Sequence, residues 1–89
     1  AMKTLTFHLR EGEECIPLIQ LLKAVNVVYS GSEAQACVAR GMVRRNGETE
    51  TRKRAKIREG EAIEFDRYRI LVEAHDPEER GQEASLTHD

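Results

Sequence analysis

At 89 residues and 10.1 kDa the chain has room for a single domain. It is 39% hydrophobic and 34% charged, with two Phe, two Tyr and no Trp, which suits a small fold with a modest aliphatic core. A membrane-spanning helix is excluded because the apolar runs at Leu21-Leu22 and Ala24-Val25 are broken by Lys23 and Asn26, and an enzyme is disfavoured because so short a chain must frame both a substrate pocket and a catalytic shell.

Ala1 ahead of Met2 reads as a remnant of expression and is left out of the fold. The segment Lys3 to Phe7 has no apolar h-region, so no signal peptide is expected. Leu5, Phe7 and Leu9 alternate with Thr4, Thr6 and His8, the period of a half-buried strand. A polar turn follows at Glu11 to Glu14, and Pro17 fits the first turn of a helix, where its missing N–H costs nothing. Leu18, Leu21, Leu22 and Val25 give that helix its apolar stripe, and Asn26 ends it.

Ser30-Gly31-Ser32-Glu33 has the capping-box pattern for a second helix, with Ser30 at the N-cap and Glu33 reaching back from N3. Ala34, Cys37, Val38 and Gly41 share its inner face, and Gly41 closes it as the C′ residue. Cys37 is expected to be largely buried, as a small hydrophobe rather than a reactive thiol. Met42 to Arg45 reads as a short strand, Asn46-Gly47 as a type I′ hairpin turn, and Glu48 to Thr51 as the return. Lys56-Ile57 leads to a turn at Glu59-Gly60. Ile63 and Phe65 mark one strand, and Tyr68, Ile70 and Val72 another after the Asp66-Arg67 turn. The domain is therefore expected over residues 2–75, with 76–89 as an acidic, disordered tail of net charge −4.

Cys15 and Cys37 are too few for a disulfide framework, and His8, His75 and His88 are scattered. No zinc site, metal or cofactor is expected, and the cysteines read as reduced thiols of a cytoplasmic protein, unpaired with each other.

The overall charge of −2 conceals an asymmetry. Between Arg40 and Arg58 stand eight basic residues against Glu48 and Glu50, a local charge of +6 that leaves −8 for the rest. Such a division suggests a polyanion-binding face on an acidic body.

The stretch Ser30-Gly31-Ser32-Glu33-Ala34-Gln35-Ala36, followed by Gly41-x-Val43-x-x-Asn46-Gly47, resembles the S-four RNA-binding domain, or alpha-L motif. The continuation Glu50-Thr51-Arg52-Lys53-Arg54-x-Lys56-Ile57-x-x-Gly60 is similar to the small free-standing bacterial members of that family. The resemblance covers roughly Leu18 to Val72. It implies an α+β fold, two packed helices against a small, mainly antiparallel sheet, and RNA binding through the second helix and the adjoining hairpin. The chain departs from the family pattern at Gly31 and Glu33, where a basic residue is usual, and at Arg45, where an aliphatic one is common. By alternation Arg45 points with Val43 toward the core; from the strand end it is expected to snorkel outward.

The RNA-binding residues expected on these grounds are Ser32, Gln35, Arg44, Arg45, Arg52, Lys53, Arg54 and Lys56. Lys and Arg neutralise phosphates, and Arg adds a planar fork that stacks on bases. Four or five phosphate contacts would give a slope of log K against log salt of about −3 to −4. The run Arg52-Lys53-Arg54 follows a hairpin and is expected to stand clear of the body, so that its reversal to Glu leaves the fold intact. Ser32, Gln35, Ala36 and Ala39 form a face of small or neutral side chains that a sugar-phosphate backbone can approach, and the helix N-terminus offers N–H groups. Few aromatics interleave with the basic residues, so recognition of shape and backbone in structured RNA is expected rather than an aromatic stacking platform, with ribosomal or transfer RNA favoured and a small regulatory RNA also open. Charge alone leaves DNA open.

No catalytic constellation is present: there is no G-x-x-x-x-G-K-S/T loop, Ser30 and Ser32 lack a G-x-S-x-G frame, and Glu13-Glu14 has no partner base. The expectation is a non-catalytic monomer that binds RNA in translation or on the ribosome, with no small-molecule substrate and no membrane partner. The rival is a protein-interaction adaptor that docks an acidic partner through the same basic face. A ubiquitin-like sulfur carrier is disfavoured because such carriers end in Gly-Gly.

Overall fold

A computed structural model of the chain describes residues 2–75; the expected acidic tail over 76–89 lies outside them. Alternating apolar residues form β1 (Lys3–His8), and β2 (Cys15–Pro17) leads directly into α1 (Leu18–Ala24). Then come α2 (Gly31–Ala39), β3 (Val43–Arg45), β4 (Glu48–Thr49), β5 (Lys56–Arg58), β6 (Ala62–Phe65) and β7 (Tyr68–Glu73). Five strands form one sheet in the order β1-β7-β6-β3-β4, and β2 and β5 form a separate pair. All pairings are antiparallel except β1 with β7, which is parallel. The fold is the expected α+β arrangement of two helices and a mainly antiparallel sheet.

Both helices end in the same way, for a chemical reason legible in their sequences. Asn26 (φ 61°) and Gly41 (φ 74°) take the left-handed conformation that reverses the chain. After α1, the N–H groups of Asn26 and Val27 donate to the carbonyls of Lys23 and Leu22 at 3.0 and 3.2 Å. After α2, those of Gly41 and Met42 donate to Val38 and Cys37 at 3.0 and 3.1 Å. Each is a Schellman motif that satisfies carbonyls the helix leaves open. At the other end of α2, the Glu33 N–H donates to Ser30 Oγ at 3.2 Å, while the Glu33 carboxylate accepts from the Tyr29 N–H at 2.6 Å, one residue upstream of the expected partner.

Leu18, Leu21 and Leu22 of α1 and Ala34 and Val38 of α2 bury against Val43, Ile57, Ile63, Ile70 and Val72 of the strands. Leu9, Ile16, Val28, Ala55 and Phe65 complete the core, and Leu5, Phe7 and Ile19 pack on its margin. Non-directional burial of these aliphatic surfaces is the main term holding so small a fold. Two expectations need correcting. Pro17 is the last residue of β2 and the N-cap of α1, extended at φ −60°, ψ 140°, rather than in the first helical turn. Cys37 is half-buried rather than largely buried, since Ala34 and Val38 occupy the centre of the inner stripe and leave it at the edge. Both cysteines are free thiols. Among the described residues no helix is long and apolar enough to cross a membrane.

Candidate nucleic-acid interface

The backbone places the basic segment by tying it down from below. Ala55, between Arg54 and Lys56, is buried, and its carbonyl accepts the Leu18 N–H at 2.8 Å. Pro17 and Lys56 face each other across the β2–β5 pair, with Ile16 opposite Ile57. The start of α1 and the segment 53–56 are therefore one unit, and α2 packs beside α1. Where the three meet lies an open groove of about 570 Å³ lined by Pro17, Ile19, Gln35, Lys53, Arg54 and Lys56. Gln35, Lys53, Arg54 and Lys56 were all named from sequence, and the fold brings them together. Lys53, Arg54 and Lys56 are exposed and form no ion pair with the described residues.

Arg45 and Arg52 are placed differently. Arg45 Nε donates to Glu61 Oε2 at 2.8 Å and Nη2 to Glu61 Oε1 at 2.9 Å, a two-pronged grip. Its Nη2 also reaches the Lys56 carbonyl at 2.9 Å, and Nη1 reaches Glu50 Oε1 at 3.3 Å. The expected outward snorkelling is thus corrected: from the core-facing side of β3, Arg45 has two carboxylates within reach and stays with them. Arg52 Nε and Nη2 donate to Glu50 Oε2 and Oε1, each at 3.0 Å, and its backbone N–H donates to Oε2 at 3.1 Å. Glu50 is the one polar residue buried in the core among the described residues. The Arg52 side chain, itself well exposed, is anchored to it.

These contacts set the electrostatics. Hydrogen bonds from Arg52, side chain and backbone, and from Arg45 pull the Glu50 carboxyl down to about 2, against the opposing effect of burial. Arg45, with help from the Arg58 N–H and Asn46, lowers Glu61 in the same way. The arginines are raised in return, Arg45 chiefly by Glu61 and Arg52 by Glu50. The +6 segment therefore divides into cations neutralised by acids and cations that face solvent.

The remaining expected residues are dispersed. Arg44 lies between Val43 and Arg45, so alternation turns it to the outward face of the sheet, where it stands opposite Glu64 of β6 and Thr49 of β4. Ser32 is exposed on the first turn of α2, with Gln35, Ala36 and Ala39 exposed further along. The expected offer of N–H groups at the start of α2 is narrower than the sequence suggested. Ser30 takes the Glu33 N–H, and the Glu33 carboxylate brings negative charge to that end.

Two acids, Glu50 and Glu61, organise the region and were not singled out from sequence. An arginine on the core-facing side of a strand requires an anion, which was the available signal. Asn46, at the hairpin turn with φ 52°, adds a further tie. Its Oδ1 accepts the Ala62 N–H at 2.9 Å while its Nδ2 donates to Glu61 at 3.1 Å. Tyr29, just before the N-cap of α2, is 99% exposed.

A family model described as the S4 domain matches residues 7–73. Over 59 residues the chain is 37% identical to the Escherichia coli (strain K12) protein named "Putative RNA-binding protein YbcJ", covering 66% of this chain and 84% of the relative. It matches to the same extent a Shigella flexneri protein named "Uncharacterized protein YbcJ".

Proposed function

The chain belongs to the S4 domain family, and on that premise we propose that it is a non-catalytic RNA-binding protein whose groove between α2 and the segment 52–56 grips structured RNA. The observation that carries this reading is the convergence of Lys53, Arg54 and Lys56 on one groove beside Gln35, with no acid paired to any of them among the described residues. A cation without a protein counter-charge gains most from a phosphate, because binding releases the counterions condensed on the nucleic acid. Arg52, its charge met by Glu50, stays anchored at the edge of the same segment and positions it. Ser32 and Gln35 offer neutral polar contacts on the face of α2. Ribosomal and transfer RNA are the proposed ligands, bound by a monomer in the cytoplasm, where free thiols at Cys15 and Cys37 persist.

The test is a gel shift with transfer RNA and ribosomal RNA fragments across a salt series, for the full chain and for the double reversal Lys53→Glu with Arg54→Glu. Binding that weakens with salt and is lost in the reversal supports the reading. Salt-dependent capture of an acidic protein with no shift of either RNA would replace it with the adaptor reading.

A further inference from the structure

The groove contains more than phosphate contacts require. Cations meant only for a duplex backbone can stand on a flat surface, yet here they rim a recess of about 570 Å³ whose other walls are Pro17, Ile19 and an uncharged amide, Gln35. Ile19 is a half-buried residue on the margin of the hydrophobic core, so an apolar wall is left partly wet. Covering it with a flat apolar group is favourable. The recess is also preformed: Pro17 is held opposite Lys56 by strand pairing, and the Ala55 carbonyl is bonded to the first residue of α1.

We propose that this groove seats one unpaired base of a structured RNA. The inference rests on the RNA-binding reading above and names the class of RNA: a helix interrupted by a bulged or looped-out nucleotide, rather than a continuous duplex. The chemistry of such a nucleotide matches the walls one by one. Its flat face packs on Pro17 and Ile19. Its edge pairs with the Gln35 amide, which both donates and accepts. The phosphates on either side meet Lys53 and Lys56, and Arg54 serves as a phosphate fork or a planar cover over the base. Unpaired bases are the part of RNA whose edges a side chain can reach, since the deep groove of the A-form helix is closed to it. The neutral Gln35 is therefore the specificity-determining residue of the site, and the three cations supply affinity.

Two RNA hairpins of the same stem test this, one fully paired and one carrying a single bulged 2-aminopurine. The full chain should bind the bulged hairpin about tenfold more tightly, with a change in 2-aminopurine fluorescence on binding. Gln35→Ala, on an exposed helix face, should remove most of that preference, weakening the bulged hairpin far more than the paired one. Ile19→Ala should act likewise, its folding checked by a thermal melt. Lys53→Glu should weaken both RNAs together. Equal affinity for the two hairpins would overturn the base seat and leave the RNA-binding reading standing. Binding of neither would remove both. Loss of the preference in Tyr29→Ala but not in Gln35→Ala would place the base against the exposed tyrosine and overturn the groove assignment.

Discussion

The Glu50 carboxylate holds the Arg52 guanidinium by both of its oxygens, at 3.0 Å each, while it lies buried at 7% exposure. A buried carboxylate would ordinarily resist ionisation; this one has its acidity increased because two arginines and a backbone N–H stabilise its charged form. The first turn of the basic segment is therefore fixed to the core through a charge.

That arrangement makes stability depend on pH in a defined direction. The folded-state value of about 2 lies below the ordinary 4.5, so the contribution is fully present above about pH 4.5 and is lost as pH falls toward 2. The shift corresponds to at most about 3 kcal/mol, and the real figure is smaller because the Arg52 side chain is 74% exposed and screened by solvent. Glu50→Gln should lower the melting temperature clearly at pH 7, and the gap from the parent should narrow steadily between pH 4.5 and 2. A gap that stays constant over that range would show that Glu50 acts by shape rather than by charge.

Arg45 joins β3 to the loop before β6 and to the carbonyl of Lys56. Replacing it with Met keeps the stem and deletes the fork, leaving Glu61 half-buried without its main partner. Arg45→Met should cost about 2–3 kcal/mol, between the small worth of surface pairs and the larger penalty of broken buried ones. Arg45→Lys should recover only part, because an ammonium cannot reproduce the two-pronged grip. Urea unfolding measures both, through a lower midpoint at unchanged m value.

The local elements were legible because each is written in adjacent residues. The Leu18-Leu21-Leu22 stripe, the Ser30–Glu33 cap, Gly41 and the Asn46-Gly47 turn all depend on contacts within a few positions, and each stands where its residues place it. What was not legible depends on partners distant in the chain. The pairing of Cys15–Pro17 with Lys56–Arg58 joins segments about forty residues apart, and nothing in so short a strand announces it. The parallel pairing of β1 with β7 is of the same kind. In the candidate site, the count of basic residues was right, but their availability was not. A one-dimensional charge tally treats Glu48 and Glu50 as a subtraction of two, whereas Glu50 and the more distant Glu61 neutralise two particular arginines and leave Lys53, Arg54 and Lys56 to solvent.

The two Schellman ends differ in the residue that takes positive φ. A Cβ built on Gly41 would sit 3.4 Å from Thr49 Cγ2, in a conformation that side chains rarely adopt. Gly41→Ala should therefore cost about 1–2 kcal/mol, the usual penalty for a left-handed residue with a Cβ. At Asn26 that penalty is already partly incurred, so Asn26→Gly should be neutral or slightly stabilising and Asn26→Val should destabilise. Equal losses in Asn26→Gly and Asn26→Val would show that the Asn side chain, not the backbone angle, matters there.

Single charge reversals along the basic stretch should separate affinity from stability. The sequence alone suggested reversing Arg52, Lys53 and Arg54 together, but Arg52→Glu sets a second carboxylate against the buried Glu50 and should destabilise the fold, so that variant confounds the two effects. Lys53→Glu, Arg54→Glu and Lys56→Glu change exposed side chains with no acid partner among the described residues, and each should melt close to the parent. With three groove cations rather than four or five, the slope of log K against log salt should be about −2 to −3, and each reversal should flatten it by roughly one. Arg44→Glu lies on the outward face of the sheet, opposite Glu64, and should change RNA affinity far less than any groove reversal. If Arg44→Glu weakened binding as much as Lys53→Glu, with both proteins folded, RNA would be attracted to the whole positive stretch, and the groove would not be its site.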